Sequence, residues 1–401
     1  MWTGDLSFGL ASIRVELCTA TSPYGVAFDS TKAAPAGELG RLIGILGGGQ
    51  LARMLVLAGA PLGERFLTLD PSSEAGAGHL TRLLAAGYDD PAALDRLAGD
   101  CSVVTYEFER VPAASARRIA RRVPVHPNPD VLDVSQDRVT EKKLFNRLGL
   151  ATPSFAPAAS RAELDQAVAS VGLPALIKTR REGYDGKGQF VVRATSDVES
   201  AWDSAGAKDL IVESMVDFDR ELSLLAVRSI DGDTAVYPLV ENHHSEGILR
   251  LSRAPAPQLT PQLQAGAEIQ ARSVMDELDY VGVLAIEFFQ VGDVLLGNEM
   301  APRVHNSGHW TIEGAVTSQF ENHIRAITGR PLGSTAPIGH SAMVNLIGEL
   351  PDLDAILRVE GAHPHLYGKR PRPGRKLGHV TVVSDDVAEL EDRVASLQAL
   401  T

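Results

Sequence analysis

Apolar and polar positions fall into regular blocks from Leu39 onward, and the blocks continue almost to the C-terminus. Residues 41–46 form an apolar run of the kind a strand buried on both faces requires. Gly47-Gly48-Gly49-Gln50 interrupts the run, and a helical pattern follows as far as Gly59, a residue suited to ending a helix. Strand patterns recur at 65–70 and 101–108, with a helix between them that Asp90 and Pro91 open as cap and first residue. Such alternation predicts a doubly wound parallel α/β domain over residues 39–135. Residues 1–38 carry no comparable pattern, nor a basic stretch ahead of a long apolar core, and are expected to be a poorly ordered extension rather than a signal peptide.

Three prolines between 123 and 129 predict a linker, after which a second α/β region begins. The patterns there predict a helix at 136–148 stopped by Gly149, a helix to Gly172 opened by the capping box of Ser160 and Glu163, and strands at 174–178, 190–193, 210–213, 222–228 and 237–240. A polar turn at 241–247, a helix at 261–278 and a helix at 314–327 with Gly329 as its stop are also expected. Two apolar runs around Val291-Gly292-Asp293 predict a β-hairpin. Prolines keep residues 369–376 out of a helix. Val387, Leu390, Val394 and Leu397 place an amphipathic packing helix over 386–400.

A chain of 401 residues, 44% of them hydrophobic, has room for two or three domains and a sizeable core. The net charge of -13 argues against nucleic acid or an anionic membrane as partner, so any anionic substrate must meet locally concentrated cations. Two cysteines, Cys18 and Cys101, provide neither a disulfide framework nor a metal cluster.

The hairpin carries Glu287 on its first strand and Asn298 and Glu299 on its second. An odd-numbered loop centred on Asp293 sets Glu287 opposite Glu299; an even-numbered loop sets it opposite Asn298. Facing carboxylates, about 5 Å apart at Cβ, raise one pKa or recruit a cation. Oxygen-only ligands suit a hard ion such as Mg²⁺, with Mn²⁺ as the alternative. Arg303, His305, Asn306 and Ser307 follow at once. The segment Gly183-Tyr184-Asp185-Gly186-Lys187-Gly188-Gln189 can fold over a polyphosphate, and Lys178 ends a strand aimed at the same space. Ser214, Met215 and Val216, after the strand ending at Glu213, can offer backbone groups to a purine, and Glu221 can hold ribose hydroxyls. Glu107 and Glu109 close a strand of the first domain, where either can accept from a substrate amine. Five cations in eight residues, Lys369 to Lys376, suggest a site for a phosphate monoester. Residues 47–52 also match G-x-G-x-x-A with Asp70 ending the next strand, which raises a dinucleotide site, although nothing later supplies hydride transfer.

Taken in order, Gly47-Gly48-Gly49-Gln50-Leu51, the segment from Gly183 to Gln189, Asn298-Glu299-x-Ala301-Pro302-Arg303-x-His305-Asn306-Ser307-Gly308-His309-Trp310 and Arg372-Pro373-Gly374-Arg375-Lys376-x-Gly378-His379 resemble the ATP-grasp superfamily. Within it they are similar to the 5-(carboxyamino)imidazole ribonucleotide synthases of purine biosynthesis. The resemblance implies an ATP-grasp fold at 136–335, preceded by the doubly wound domain and followed by a small C-terminal domain at 336–401. It implies a cytoplasmic, homodimeric carbon–nitrogen ligase that carboxylates the exocyclic amine of aminoimidazole ribonucleotide with ATP and bicarbonate, through carboxyphosphate. By the same resemblance Arg138 and Lys178 would meet ATP phosphates, under a cover formed by Gly183 to Gln189. Glu213 to Val216 would bind adenine, Glu221 the ribose, and His244 would lie near the nucleotide. Glu287 and Glu299 would hold Mg²⁺, with Asn298 beside them. Arg303, His305, Asn306 and Ser307 would receive bicarbonate, and Tyr184, Asp185, Lys369, Arg375 and Lys376 the ribonucleotide. The rival readings are another acyl-phosphate ligase, an NAD-linked dehydrogenase and a non-catalytic nucleotide-binding regulator; intact Lys178, Glu287, Glu299 and Arg303 speak against the last.

Overall fold

The computed structural model describes residues 40–181, 188–206 and 209–401. Its first part runs β1 (Leu42–Leu46), α1 (Gln50–Gly59), β2 (Arg65–Asp70), β3 (Arg82–Ala85), α2 (Pro91–Asp100), β4 (Val103–Tyr106), α3 (Ala113–Ala120) and α4 (Asp130–Ser135). The strands pair in parallel in the order β3-β2-β1-β4. β1 reads as an unbroken apolar run because both its faces are covered: Ile43 and Ile45 join the core with α1, while Leu46 joins the one with α2 and α3.

The next elements are α5 (Arg138–Arg147), β5 (Phe155–Ala158), α6 (Arg161–Val171), β6 (Ala175–Thr179), β7 (Gln189–Val192), α7 (Asp197–Ser204) and β8 (Leu210–Ser214). Here the strands pair antiparallel in the order β5-β8-β6-β7, with Ile177 and Val212 packed against Leu164, Val168 and Val198 of the helices. Ser160 accepts from the Glu163 N–H, and Glu163 reaches back one residue beyond the cap to the Ala159 N–H, a variant of the expected capping box.

A larger sheet takes β9 (Arg220–Arg228), β10 (Thr234–Val236), β11 (Val240–Ser245), β12 (Ile248–Ala254), then, past α8 (Pro261–Glu277), β13 (Gly282–Val291) and β14 (Val294–Ala301). α9 (Thr311–Gly314) and α10 (Gln319–Ile327) follow, and after them β15 (His340–Ile347), α11 (Leu353–Leu357), β16 (His363–Leu366), β17 (Lys376–Ser384) and α12 (Val387–Gln398). The order is β14-β13-β9-β11-β12-β15-β17-β16, with β10 on β9, so β15, β17 and β16 continue the sheet that holds the hairpin. β9 shows why alternation matters: Leu222, Leu224 and Ala226 pack on Ala267, Ala271 and Met275 of α8. Leu225 and Val227 face the opposite core with Trp310, Phe320 and Ile324, and Ser223, also fully buried, shares their side.

Four expectations need correction. Residues 241–247 are not a turn: β11 runs through them to Ser245, and the reversal falls at Glu246 and Gly247, both with positive φ. Residues 237–239 are correspondingly outside any strand. The helix expected at 314–327 is broken, since Gly314 ends α9 and Ser318 caps α10 by accepting from the Glu321 N–H. The helix expected from 136 starts at Arg138, because the Asp137 carboxylate accepts from the N–H groups of Val139 and Thr140.

α5 is fastened to β14 by two buried side chains. Glu141 Oε1 accepts from the Met300 N–H at 2.7 Å, and Lys142 Nζ donates to the Asn298 carbonyl at 3.1 Å. Burial, then the neighbouring Glu299, pushes the Glu141 carboxyl up to about 8. A folded-state pKa raised above the unfolded one means stability present at low pH and lost as pH climbs toward that raised value. Replacing Glu141 with Gln removes the titration. The melting temperature of E141Q relative to the parent, measured without nucleotide or metal, should therefore rise as pH increases from about 5 to about 8 and level off above. A difference that stays constant over that range would disprove the linkage.

Candidate active site

The hairpin resolves the question of register in an unexpected way. Its turn is Gly292-Asp293 between paired Val291 and Val294, with Gly292 at φ 57°, which is the even-numbered case. The register then shifts by one residue between Phe288 and Glu287, so that Phe288 pairs with Gly297 but Glu287 pairs with Glu299. Asn298 is the extra residue of this bulge. The even turn and the facing carboxylates thus coexist. Glu287 also lies beside Ser223 of β9 on its other edge. Burial and then Glu299 push the Glu287 carboxyl up to about 7. Asn298 Oδ1 is buried and finds no partner among the described residues.

Across from the hairpin, β6 and β8 bring Lys178 and Glu213 together. Glu213 Oε2 lies 3.0 Å from Lys178 Nζ and 3.3 Å from Lys142 Nζ, with all three side chains buried. Burial alone would raise the Glu213 carboxyl, but the two ammonium groups hold it below the usual carboxylate range. Its Oε2 is committed to the lysines while its Oε1 is buried without a partner among the described residues, and beyond it Ser214 and Val216 are half-buried and Met215 exposed. Arg138 Nη1 donates to the Thr179 carbonyl at 2.9 Å, bringing it to the end of the strand that carries Lys178. Gln189 pairs with Lys178 across β6 and β7, and Gly188 takes a positive φ of 73°. Gly183, Tyr184, Asp185, Gly186 and Lys187 lie outside the described residues. A bulge at His243/His244 lets His244 Nδ1 meet Glu221 Oε2. Burial would lower the His244 pKa, but Glu221 and Glu287 raise it above the usual value.

The segment after β14 is fixed from both ends. Gln319, at the start of α10, accepts from the His305 N–H at 2.8 Å and donates to the His305 carbonyl at 2.6 Å. Trp310 is fully buried, edge-on to Tyr237. Between them Gly308 lies so close to β9 that a Cβ would come within 2.2 Å of Leu225 Cδ2. This holds His305 Nε2 at 3.4 Å from Glu287 Oε1 and its Nδ1 at 2.9 Å from Ser307 Oγ. Burial, reinforced by Arg303 and Lys376, keeps the His305 ring well below its usual pKa and hence neutral. Both side-chain polar atoms of Asn306 are buried without partners among the described residues. Arg303 Nε donates to Glu109 Oε2 at 2.6 Å. Burial would raise Glu109, but Arg303 brings it below its ordinary value.

The basic loop divides. Lys376, at the head of β17, is near enough for its charge to act on Glu287, His244 and His305. Lys369 donates to Gln50 Oε1 at the start of α1 and lies 5.7 Å from the centre of the Tyr367 ring. Arg375 Nη1 donates to the Arg370 carbonyl at 3.2 Å, within the loop itself.

The dinucleotide reading of residues 47–52 does not survive. Glu107 occupies the place a pyrophosphate would take: its carboxylate accepts from the N–H groups of Gly49 and of Ala52, the latter at 2.7 Å. A Cβ on Gly47 would lie 2.4 Å from Glu107 Cγ, so the glycine admits this side chain. Asp70 is likewise engaged, accepting from the Gly48 N–H and the Tyr88 hydroxyl, both at 2.9 Å.

Lys142, Glu141, Ser223 and Asn242 were not legible as site residues. Ser223 had one signal, a polar residue at a core-facing position of an otherwise apolar alternation; the first two look like ordinary surface charges of a helix.

Comparisons with known proteins agree along the chain. Residues 41–136 match the ribonucleotide synthetase preATP-grasp domain, 143–320 the ATP-grasp domain, and 341–393 the phosphoribosylaminoimidazole carboxylase C-terminal domain. The N5-carboxyaminoimidazole ribonucleotide synthase of Pseudomonas aeruginosa is 51% identical over 358 residues, covering 89% of this chain and 99% of that protein. That of Escherichia coli is 42% identical over 356 residues, covering 89% and 93%. The crystal structure of the Thermus thermophilus synthetase shares 56% identity at a TM-score of 0.87, covering 90% of this chain and 98% of its own. The Aspergillus clavatus synthase, solved with ADP and 5-aminoimidazole ribonucleotide, shares 30% identity at a TM-score of 0.84, with 90% and 98% covered. Fold, order of domains and facing carboxylates lead to one conclusion: the chain belongs to the N5-carboxyaminoimidazole ribonucleotide synthase family.

Proposed function

We propose that the chain carboxylates the exocyclic amine of 5-aminoimidazole ribonucleotide, consuming ATP and bicarbonate and releasing ADP and phosphate. The observation that carries this reading is the convergence of Glu287 and Glu299, the His305 segment and Lys376 on one face of the large sheet. Bicarbonate is a poor electrophile until an oxygen of it attacks the γ-phosphoryl group of ATP to give carboxyphosphate. Lys178 and Arg138 offset the charge that spreads over the phosphates, and the backbone from Glu213 to Val216 takes the adenine. Glu221, with His244, takes the ribose. Arg303, Asn306, Ser307 and the His305 ring receive the bicarbonate; the partnerless polar atoms of Asn306 fit such a guest. Gly183 to Gln189 are assigned the cover that excludes water from carboxyphosphate, on resemblance alone. Tyr184, Asp185, Lys369, Arg375 and Lys376 hold the ribonucleotide. Of the two acids just beyond β4, Glu107 has both oxygens on the amides of α1 whereas Glu109 has one on Arg303, so Glu109 is the one assigned to the amine.

Glu287, Glu299 and the partnerless Asn298 Oδ1 fit a hard divalent ion. Two carboxylates plus substrate phosphates are a common way to hold such an ion. Mg²⁺, with Mn²⁺ as the alternative, would supply neutralisation of phosphate charge there. A cytoplasmic homodimer is part of the same proposal; no described helix is long and apolar enough to cross a membrane.

ADP release should require ATP, bicarbonate and the ribonucleotide together; release indifferent to the ribonucleotide would sink the assignment and favour another acyl-phosphate ligase. E299Q should abolish turnover while leaving the fold intact, with a melting temperature no lower than the parent's, and near-normal activity at saturating Mg²⁺ would remove Glu299 from the metal site. K376A should raise the KM for the ribonucleotide at least tenfold more than the KM for ATP, since a lost charge-assisted phosphate contact costs about 1.5–3 kcal/mol; equal effects on both would move the basic loop away from that phosphate.

A further inference from the structure

The His305 ring stands at the end of a buried hydrogen-bond chain that begins on β12, three strands from the metal hairpin. Ser252 Oγ donates to Asn242 Oδ1 at 2.8 Å, and Asn242 Nδ2 donates to Ser223 Oγ at 2.9 Å. Ser223 Oγ donates to Ser307 Oγ at 2.7 Å, and Ser307 Oγ lies 2.9 Å from His305 Nδ1. Ser252, Ser223 and Ser307 are fully buried and Asn242 nearly so, so no solvent competes for these bonds.

Each hydroxyl has one hydrogen to give, and the amide of Asn242 gives only from nitrogen. With Oδ1 taken by Ser252, the amide must donate to Ser223. Ser223 then spends its hydrogen on Ser307, and Ser307 has its own left for Nδ1. The Ser307 backbone N–H also points at Nδ1, at 3.4 Å, a long contact that favours acceptance there in the same sense without fixing it. Turning the Asn242 amide over would reverse every bond and leave the hydrogen on Nδ1.

We infer that Ser252, Asn242 and Ser223 are positioning residues whose one-way chain holds His305 as the Nε2–H tautomer, giving the anion bound beside Arg303 a donor in place of a lone pair. The identity of that anion as bicarbonate or carboxyphosphate rests on the proposed function. With the opposite tautomer, Nε2 would turn a lone pair toward Glu287 and toward any carbonate oxygen, and could give a hydrogen bond to neither when they are ionised.

The test uses the full chain labelled with ¹⁵N-histidine, with the His305 signals assigned by their loss in H305Q. Long-range ¹H–¹⁵N spectra of the parent should show a pyridine-type Nδ1 and a pyrrole-type Nε2. A pyrrole-type Nδ1 in the parent would overturn the inference before any variant is made. S223A interrupts the chain next to Ser307, and S252A releases the amide from the far end. Both should move the Nδ1 signal toward the pyrrole type and lower kcat by roughly tenfold or more while leaving the KM for ATP near its parent value. S223T, which keeps the hydroxyl, should restore signal and rate. Unchanged His305 signals in both alanine variants would refute the relay, whatever happens to the rate. Failure of the parent to depend on the ribonucleotide would instead strike at the assigned reaction and leave the spectra as they are.

Discussion

The shift of one residue at Asn298 is the constraint on which the site depends. A two-residue turn sets a register in which Glu287 would face an amide, and side chains along a strand can be re-aimed only by inserting or deleting a residue. The bulge re-aims them, and Lys142 donates to the carbonyl of its extra residue, Asn298. The same ammonium group rests on Glu213, and Glu213 on Lys178, so the register of one sheet and the lysine of the other share a single buried carboxylate. Burying three charges in this way costs desolvation energy that their mutual attraction offsets only when the geometry is tight. The arrangement fits a site that must hold two carboxylates together against their repulsion.

Much of this was legible in the chain, and the limits are physical. The parallel domain, the capping box at Ser160 and the helix over α8 follow from local periodicity, which needs no knowledge of distant partners. β11 was misread because Asn242, His243 and His244 look like turn residues; they are strand residues, of which Asn242 is buried against Ser223, His244 meets Glu221 and His243 stays exposed. The helix before Gly329 was read too long because the break at 315–318 comes from Ala315 bridging to Pro337, a contact invisible in local sequence. The hairpin parity was left open, and neither simple alternative was right, since the register shifts at Asn298, whose carbonyl meets Lys142 more than a hundred residues upstream.

The glycine turn after β1 carries a similar lesson about motifs. The spacing of its glycines reports that something must approach the backbone closely, and in this chain that something is Glu107. An internal carboxylate satisfies the N-terminal amides of α1 as a phosphate would. Yet the turn is not idle, because Gln50 beside it meets Lys369 and so joins the first domain to the basic loop.

One consequence follows from the continuity of the large sheet. In a flat sheet the five steps from β13 to β17 would separate those strands by about 24 Å, yet the charge of Lys376 reaches Glu287 and His305. The sheet is therefore rolled, and the chord across its mouth behaves as a calliper whose jaws are the carboxylate pair and the head of β17. Its opening is set by strand twist summed over many backbone bonds, not by any loop. If the proposed ribonucleotide and nucleotide sites lie between those jaws, the fit to a substrate's length is distributed through the whole sheet, and changing it would call for a change in curvature rather than the exchange of one contact residue.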